Sequence, residues 1–306
     1  MKHGTSAAGH LAAFLTITIW GTTYIATKIL LKDFSPYEIL FIRFIIGYFA
    51  LLLIRPHSLK TKSVREELLF IAAGFCGVTM YFLLENVALT YTLASNAGVI
   101  VSASPFFTAV IAHFFLKEER LRPHFFLSFA IAILGIALIT FNGCFNLKLN
   151  PKGDLLVLTA CIFWAVYSVL MRKISVLGYH NVSCTRRIFF YGLLFMIPFL
   201  FRAGFHPVPS HFAEPANLFN ILFLGLGASA LCFVTWNWSV GVLGPVKTSA
   251  YIYLVPVITL VVSFLVLHEN ITPAALLGTF LTLTGLFLSE RGLGNGKQYK
   301  QDVKAT

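Results

Sequence analysis

Charge is what this sequence has least of. Asp, Glu, Lys and Arg together make up 11% of its 306 residues, and only 12 of them are acidic. A soluble domain carries roughly 25% charged residues because its surface must face water. An ordinary water-soluble fold is therefore excluded. Reactive motifs are scarce too. The five cysteines (Cys76, Cys144, Cys161, Cys184 and Cys232) are odd in number, widely spaced and without a C-x-x-C pair, which argues against a disulfide framework or a zinc site. No H-E-x-x-H, Walker-type loop or G-x-S-x-G elbow occurs, and His113 has no partner at metal-ligand spacing. No cofactor, metal or catalytic group is expected. The net charge of +11 does not mark a nucleic-acid binder, because the cations lie in short runs such as Lys60, Lys62 and Arg65 between apolar stretches.

What is present is apolar length. Hydrophobic residues make up 58% of the chain, Phe alone occurs 31 times, and the mean hydropathy is +0.82. Apolar runs of about 20 residues, the length needed to cross a bilayer, recur throughout. They predict ten transmembrane helices at 10–31, 36–55, 68–89, 92–116, 122–141, 153–173, 181–202, 216–240, 243–267 and 271–290. The run from His10 lacks a small-residue cleavage site and is expected to stay as a span. Residues 291–306 form a basic tail expected to be disordered and cytoplasmic.

Orientation follows from the cations between spans. With the N-terminus inside, 14 of them (Lys2, Arg55, Lys60, Lys62, Arg65, Lys117, Arg120, Arg122, Arg172, Lys173, Arg291, Lys297, Lys300 and Lys304) fall on the inner side. Only Lys32, Lys148, Lys152 and Arg202 fall outside. The positive-inside rule then puts both termini in the cytoplasm. The short loops fit a bacterial inner membrane.

The two halves of the chain, 10–141 and 153–290, repeat each other. At an offset of 144, Trp20 matches Trp164, Lys28 matches Arg172 and Arg43 matches Arg187. At an offset of 151, Asn86 matches Asn237, Pro105 matches Pro256, and Leu116-Lys117-Glu118 matches Leu267-His268-Glu269. Five spans per half is an odd number, so the second copy must insert upside down. Inverted repeats place a binding site near the midplane between two half-bundles that rock against each other. The expected fold class is an all-α membrane protein of two inverted five-helix repeats around a central cavity.

Trp20-Gly21 with Arg43, the stretch from Asn86 through Thr92-Leu93-Ala94-Ser95-Asn96 to Pro105, Leu-Lys-Glu-Glu at 116–119, and their counterparts Phe163-Trp164, Pro256 and Leu267-His268-Glu269 resemble the EamA-type branch of the drug/metabolite transporter superfamily. The resemblance covers about residues 10 to 290. It implies a ten-helix basket around a central cavity, and export or uptake of small metabolites such as amino acids.

Candidate site residues follow from spacing and depth. Trp20, Tyr24 and Lys28 lie on one face of the first helix, and Trp164, Ser168 and Arg172 repeat that stripe on the sixth. Asn96 and Lys247 occupy matching positions, as do Glu85 and Trp236; with Tyr251 they complete the expected cavity. Glu85 is an intramembrane carboxylate, which usually has a partner or a task. It is expected to pair with Arg43 or Lys28, either permanently or when an outer gate closes, and to carry a coupling proton in the second case. Arg172, Arg187 and Lys247 approach the inner face with no intramembrane acid to match them. Pro105 and Pro256 are expected to kink the fourth and ninth spans. The expected partners are a small-molecule substrate, a proton or other coupling ion, and the lipid bilayer. Two other readings stay open: uptake or exchange of a nucleotide-like or cationic metabolite, and a membrane-embedded enzyme acting on a lipid intermediate.

Overall fold

The computed structural model describes residues 2–92, 94–116, 123–141, 150–205, 208–267 and 272–292. The side chains of Tyr24, Lys28 and Asn96 lie outside the described set, as do the runs 117–122 and 268–271 and the tail from 293 onward. Among the described residues every regular element is helical.

The first half opens with α1 (Lys2–Leu30) and α2 (Pro36–Ile54). A long rod follows, made of α3 (Val64–Ala73), a π-helical stretch (Gly74–Met80) and α4 (Tyr81–Ala88). The next rod is interrupted, giving α5 (Ala94–Val101) and α6 (Ser104–Phe115), and α7 (Pro123–Phe141) ends the half. In the second half α8 (Pro151–Ser175), α9 (Asn181–Ala203) and the short α10 (Pro209–Ala213) lead to a second π-centred rod. It comprises α11 (Pro215–Leu222), the π-helical Phe223–Leu231 and α12 (Cys232–Leu243). The ninth segment is again interrupted, with α13 (Pro245–Ala250), a 3-10 turn (Tyr251–Tyr253) and α14 (Leu254–Leu267), before α15 (Pro273–Gly292). Among the described residues, helical segments thus run along each of the expected stretches. Five of them, Pro36–Ile54, Val64–Ala88, Pro151–Ser175, Asn181–Ala203 and Pro215–Leu243, are long and apolar enough to cross a membrane. Large apolar side chains such as Leu53, Phe201 and Phe280 stand exposed on the outside of the bundle, as lipid contact requires.

Helix starts are set by local chemistry. Ser35 and Glu38 form a reciprocal capping box around Pro36 at the head of α2. The Ser63 hydroxyl accepts from the Glu66 amide, so α3 begins at Val64 rather than near 68 and takes Glu66 and Glu67 into its first turn. Pro105 lies in the first turn of α6, after the break at 102–103, and Pro256 lies in the first turn of α14. Each proline thus follows a local interruption of the α-helix, the turn at 102–103 and the 3-10 stretch Tyr251–Tyr253, where its missing N–H takes a donor from the ladder.

The paired π-helical stretches, seven and nine residues long, are unexpected from composition. Gly74 and Gly225 occupy equivalent places in them, at the offset of 151. A Cβ on Gly74 would lie 2.7 Å from the Ile188 carbonyl, and one on Gly225 would lie 3.3 Å from the Arg43 carbonyl. These close backbone approaches fix the register of α2 against α9 at an offset of 145, matching Phe44 with Phe189 and Gly47 with Gly192. Arg43 consequently corresponds to Ile188 and not to Arg187. Register is dictated where backbones touch, and a shared charge one residue away does not override it.

Phe44, Phe82, Phe189 and Phe233, two from each half, meet edge-on or tilted at ring-centroid distances of 4.9 to 5.9 Å and join the halves in one core. At the side, α7 and α15 pack through small residues: a Cβ on Gly278 would meet the Gly135 carbonyl at 2.5 Å. Gly278→Ala is expected to lower stability by about 1–3 kcal/mol, because the two nearest atoms, the Gly135 carbonyl oxygen and the Ile139 amide nitrogen, are backbone and cannot give way. Gly98→Ala, where a Cβ meets nothing within 4 Å, is expected to be neutral or to stabilise the helix by up to about 1 kcal/mol. Thermal unfolding of the two variants in nanodiscs checks the contrast.

Candidate functional site

Between the halves lies a cavity. From α1 it is lined by Ile17, Trp20 and Thr23, from α2 by Arg43, from α4 by Tyr81, Phe82 and Glu85, and from α8 by Trp164. Val101 and Ser104, at the break between α5 and α6, and Ile252 and Val255, at the matching break of the ninth segment, complete the wall. The two interruptions thus bring non-helical backbone to the one place in a bundle where it is tolerated, beside a cavity.

The aromatic wall is built by the stripe residues. Trp20 and Trp164 meet edge-on at 5.3 Å, and Tyr81 lies 4.8 Å from Trp164. Trp236 sits behind them, 5.1 Å from Trp20 and 5.9 Å from Trp164, fully buried and outside the cavity lining. Trp20 is anchored by its indole N–H, which donates to the Ala228 carbonyl at 2.9 Å. That carbonyl belongs to the second π-helical stretch, where widened hydrogen-bond geometry leaves main-chain groups open to other partners.

The polar end is asymmetric. Arg43 donates through Nε to Ser229 Oγ at 2.9 Å, and its guanidinium lies 4.7 Å from the Phe82 ring and 5.4 Å from Phe44. Glu85 is close enough for its charge to act on Arg43, and its Oε1 accepts from the Tyr81 hydroxyl at 2.9 Å. In the second half Ile188 and Trp236 stand at the corresponding places. One wall is therefore charged and the other apolar.

The remaining predicted residues lie elsewhere. Ser168 bonds back to the Trp164 carbonyl, and Tyr251 pairs with His10 at 2.7 Å. Lys247 is half-buried on α13. Arg172 donates to the Gly241 carbonyl, and Arg187 forms an ion pair with Glu67 at 2.8 Å. The expectation that Arg172, Arg187 and Lys247 make an unmatched basic pocket is thus corrected. The early start of α3 brings Glu67 into the bundle opposite Arg187.

Beyond the cavity, polar clasps join the halves at both ends of α2. After its C-terminus, Glu67 accepts from Arg187, Tyr191 and Thr61, and Glu66 accepts from Tyr179 at 2.6 Å. Arg186 donates to the carbonyls of Arg55 and His57. The bond to Glu66 holds the Tyr179 phenol above its usual range. Before the N-terminus of α2, Asp33 accepts from Asn217 at 2.8 Å, and a further cross-half bond runs from Thr92 to Asp154 at 2.7 Å. Glu66 and Asn217 are equivalents at the offset of 151. Sequence reasoning missed both clasps, although the S-x-x-E spacing of Ser63 and Glu66 is a readable helix start.

Known proteins resemble this chain along its whole length. The model of the EamA-like transporter family matches residues 7–141 and again residues 151–291. An uncharacterized transporter of Archaeoglobus fulgidus is 28% identical over 92% of this chain and 96% of its own. The uncharacterized transporter YoaV of Bacillus subtilis is 26% identical over 89% and 92%, respectively. A probable terminal-alkyne amino-acid exporter of Streptantibioticus cattleyicolor is 27% identical over 94% of this chain and 95% of its own. A protein crystal structure superposes with a TM-score of 0.73 at 20% identity, over 94% of this chain and 99% of that one, a likeness of fold. A duplicated helical bundle with apolar spans and a central cavity, matched twice by one family model, is a multi-pass membrane protein, and the chain belongs to the EamA-like transporter family.

Proposed function

We propose that this transporter moves small metabolites, amino acids foremost, out of a bacterial cell by alternating access. In this reading it lies in the inner membrane with both termini in the cytoplasm, and the Glu67–Arg187 clasp faces the cytoplasm. The observation that carries the proposal is the cavity walled by both halves and flanked by equivalent cross-half clasps at opposite ends of α2. Opening one clasp while the other holds would expose the cavity to one side at a time. The aromatic walls and the Arg43–Glu85 end suit a solute with an apolar body and charged groups. The exporter of S. cattleyicolor, named for an amino acid, supports that class. The sequence carries no nucleotide-hydrolysis motif, which favours secondary active transport driven by a gradient or facilitated exchange; in the gradient-driven case we assign the coupling proton to Glu85, the carboxylate on the cavity lining.

Proteoliposomes with an amino-acid panel inside, assayed with and without a pH gradient, should show saturable flux of at least one class. No flux from folded protein for any class would overturn the proposal. Glu85→Gln should abolish the response of that flux to the gradient; full transport with unchanged pH dependence would remove Glu85 from coupling.

The clasps predict sidedness. In a Thr23→Cys background, labelling by a membrane-impermeant thiol reagent is measured over that of the native cysteines. Glu67→Gln should raise it severalfold from the cytoplasmic side, and Asp33→Asn from the outer side. Labelling whose sidedness ignores both variants would count against the clasps as gates.

A further inference from the structure

The pseudo-symmetry of the cavity fails at one hydrogen bond. Trp20 donates to Ala228, whose equivalent at the offset of 151 is Gly77. If symmetry held, Trp164 would donate to the Gly77 carbonyl. Instead the ring of Tyr167 lies over Gly77, so close that a Cβ there would be 2.2 Å from it. Tyr167 is pinned in place because its hydroxyl donates to Asn237 at 2.6 Å, and Asn237 in turn donates to Thr185. Thr23, the much smaller counterpart of Tyr167 in α1, leaves the Trp20 bond undisturbed.

Trp164 Nε1 consequently has no hydrogen-bond partner within the protein, although the residue is only 3% exposed. Ser104 Oγ, at 1% exposure, has only the weakly accepting Cys161 thiol beside it, and both Trp164 and Ser104 line the cavity. A buried donor left without a partner carries its full desolvation penalty. An indole N–H can only donate, and a hydroxyl can donate as well as accept. What is missing at this place is therefore a hydrogen-bond acceptor. Arg43 is already engaged with Ser229, the Phe82 face and the charge of Glu85. Glu85, which accepts from Tyr81, is the acidic side chain on the cavity lining. Tyr81 packs against Trp164 with its ring and bonds Glu85 with its hydroxyl, so the two poles lie within one tyrosine of each other. A zwitterion of amino-acid size can bridge that separation.

We propose that Trp164 and Ser104 form the acceptor pole of the cavity, where neutral donors hold the substrate carboxylate while the ammonium group turns toward Glu85. The inference rests on the transport reading for its ligand class, but it concerns binding and is tested by binding.

The full chain in nanodiscs is titrated with three probes on one carbon skeleton: L-leucine, its deaminated acid 4-methylpentanoate and its decarboxylated amine 3-methylbutylamine. Trp164→Phe keeps a ring and removes the N–H. It should weaken leucine and the acid about tenfold, as loss of a hydrogen bond to a charged group does, and leave the amine unchanged. Ser104→Ala, a smaller perturbation of packing, should act in the same direction by about threefold. Unchanged affinity for all three probes would mean that the donors serve a water, and equal weakening of all three would mean that only the ring matters. Either result overturns the proposal, as does a wild-type protein that binds none of the probes. Flux of the same probes is measured in parallel. Carboxylate selectivity without flux would end the transport reading and leave the acceptor pole standing, whereas flux without that selectivity would do the reverse.

Discussion

A polar group inside a lipid-embedded bundle has no water to fall back on, so each one must find its partner in the protein or cost several kcal/mol. Much of the side-chain pattern follows from that constraint. Thr16, Ser102, Ser168 and Thr282 each bond back to the carbonyl one turn earlier. Tyr167, Asn237 and Thr185 close a buried chain, and Thr79 reaches across to the Gly192 carbonyl. Arg43 is held by a hydroxyl, two aromatic faces and a neighbouring carboxylate. Six buried polar atoms among the described residues stand outside this pattern, on Arg55, Ser104, Thr108, Trp164, Trp236 and Tyr253, and of these residues only Ser104 and Trp164 line the cavity.

The duplicated architecture supplies a control for each feature. Where both copies agree, as with the π-helical rods, the interrupted segments and the phenylalanine quartet, the shared element builds the scaffold. Three of the differences involve residues on the cavity lining of the first half. Arg43 faces Ile188 in the comparison, Glu85 faces Trp236, and Thr23 faces Tyr167. A symmetric scaffold with an asymmetric lining binds an asymmetric solute in one orientation. That suits a molecule with a polar and an apolar end better than a symmetric ion.

The scaffold was legible in the sequence because hydrocarbon thickness fixes span length and the repeat appears as paired tryptophans and prolines. Trp20, Trp164, Arg43 and Glu85 were legible because large rings and charges are conspicuous in apolar runs. Three things were not. The π-helical stretches depend on close approaches at Gly74 and Gly225, which only the packed partner helix makes visible. The Glu67–Arg187 pair depends on a helix start at Val64, and the charged run of 60–67 reads as loop when the cap at Ser63 is passed over. The cavity placement of Ser168, Arg172 and Tyr251 followed from helical spacing alone, which says which face a residue shares but not what that face meets.

α9 connects the two proposed working parts. Arg186, Arg187 and Tyr191 hold the clasp, and Phe189, within two residues of all but one of them, packs on Phe44 and Phe233. Phe44 is the chain neighbour of Arg43, and Phe233 touches both Trp20 and Trp164. Interiors packed this tightly do not deform by degrees. A displacement of α9 large enough to part Arg187 from Glu67 must also move Phe189 against the floor of the cavity. The reverse holds as well: a solute that spreads the tryptophans pushes on Phe233 and, through it, on the helix that carries the clasp. In the proposed transport cycle, occupancy and gating would therefore share one aromatic contact network.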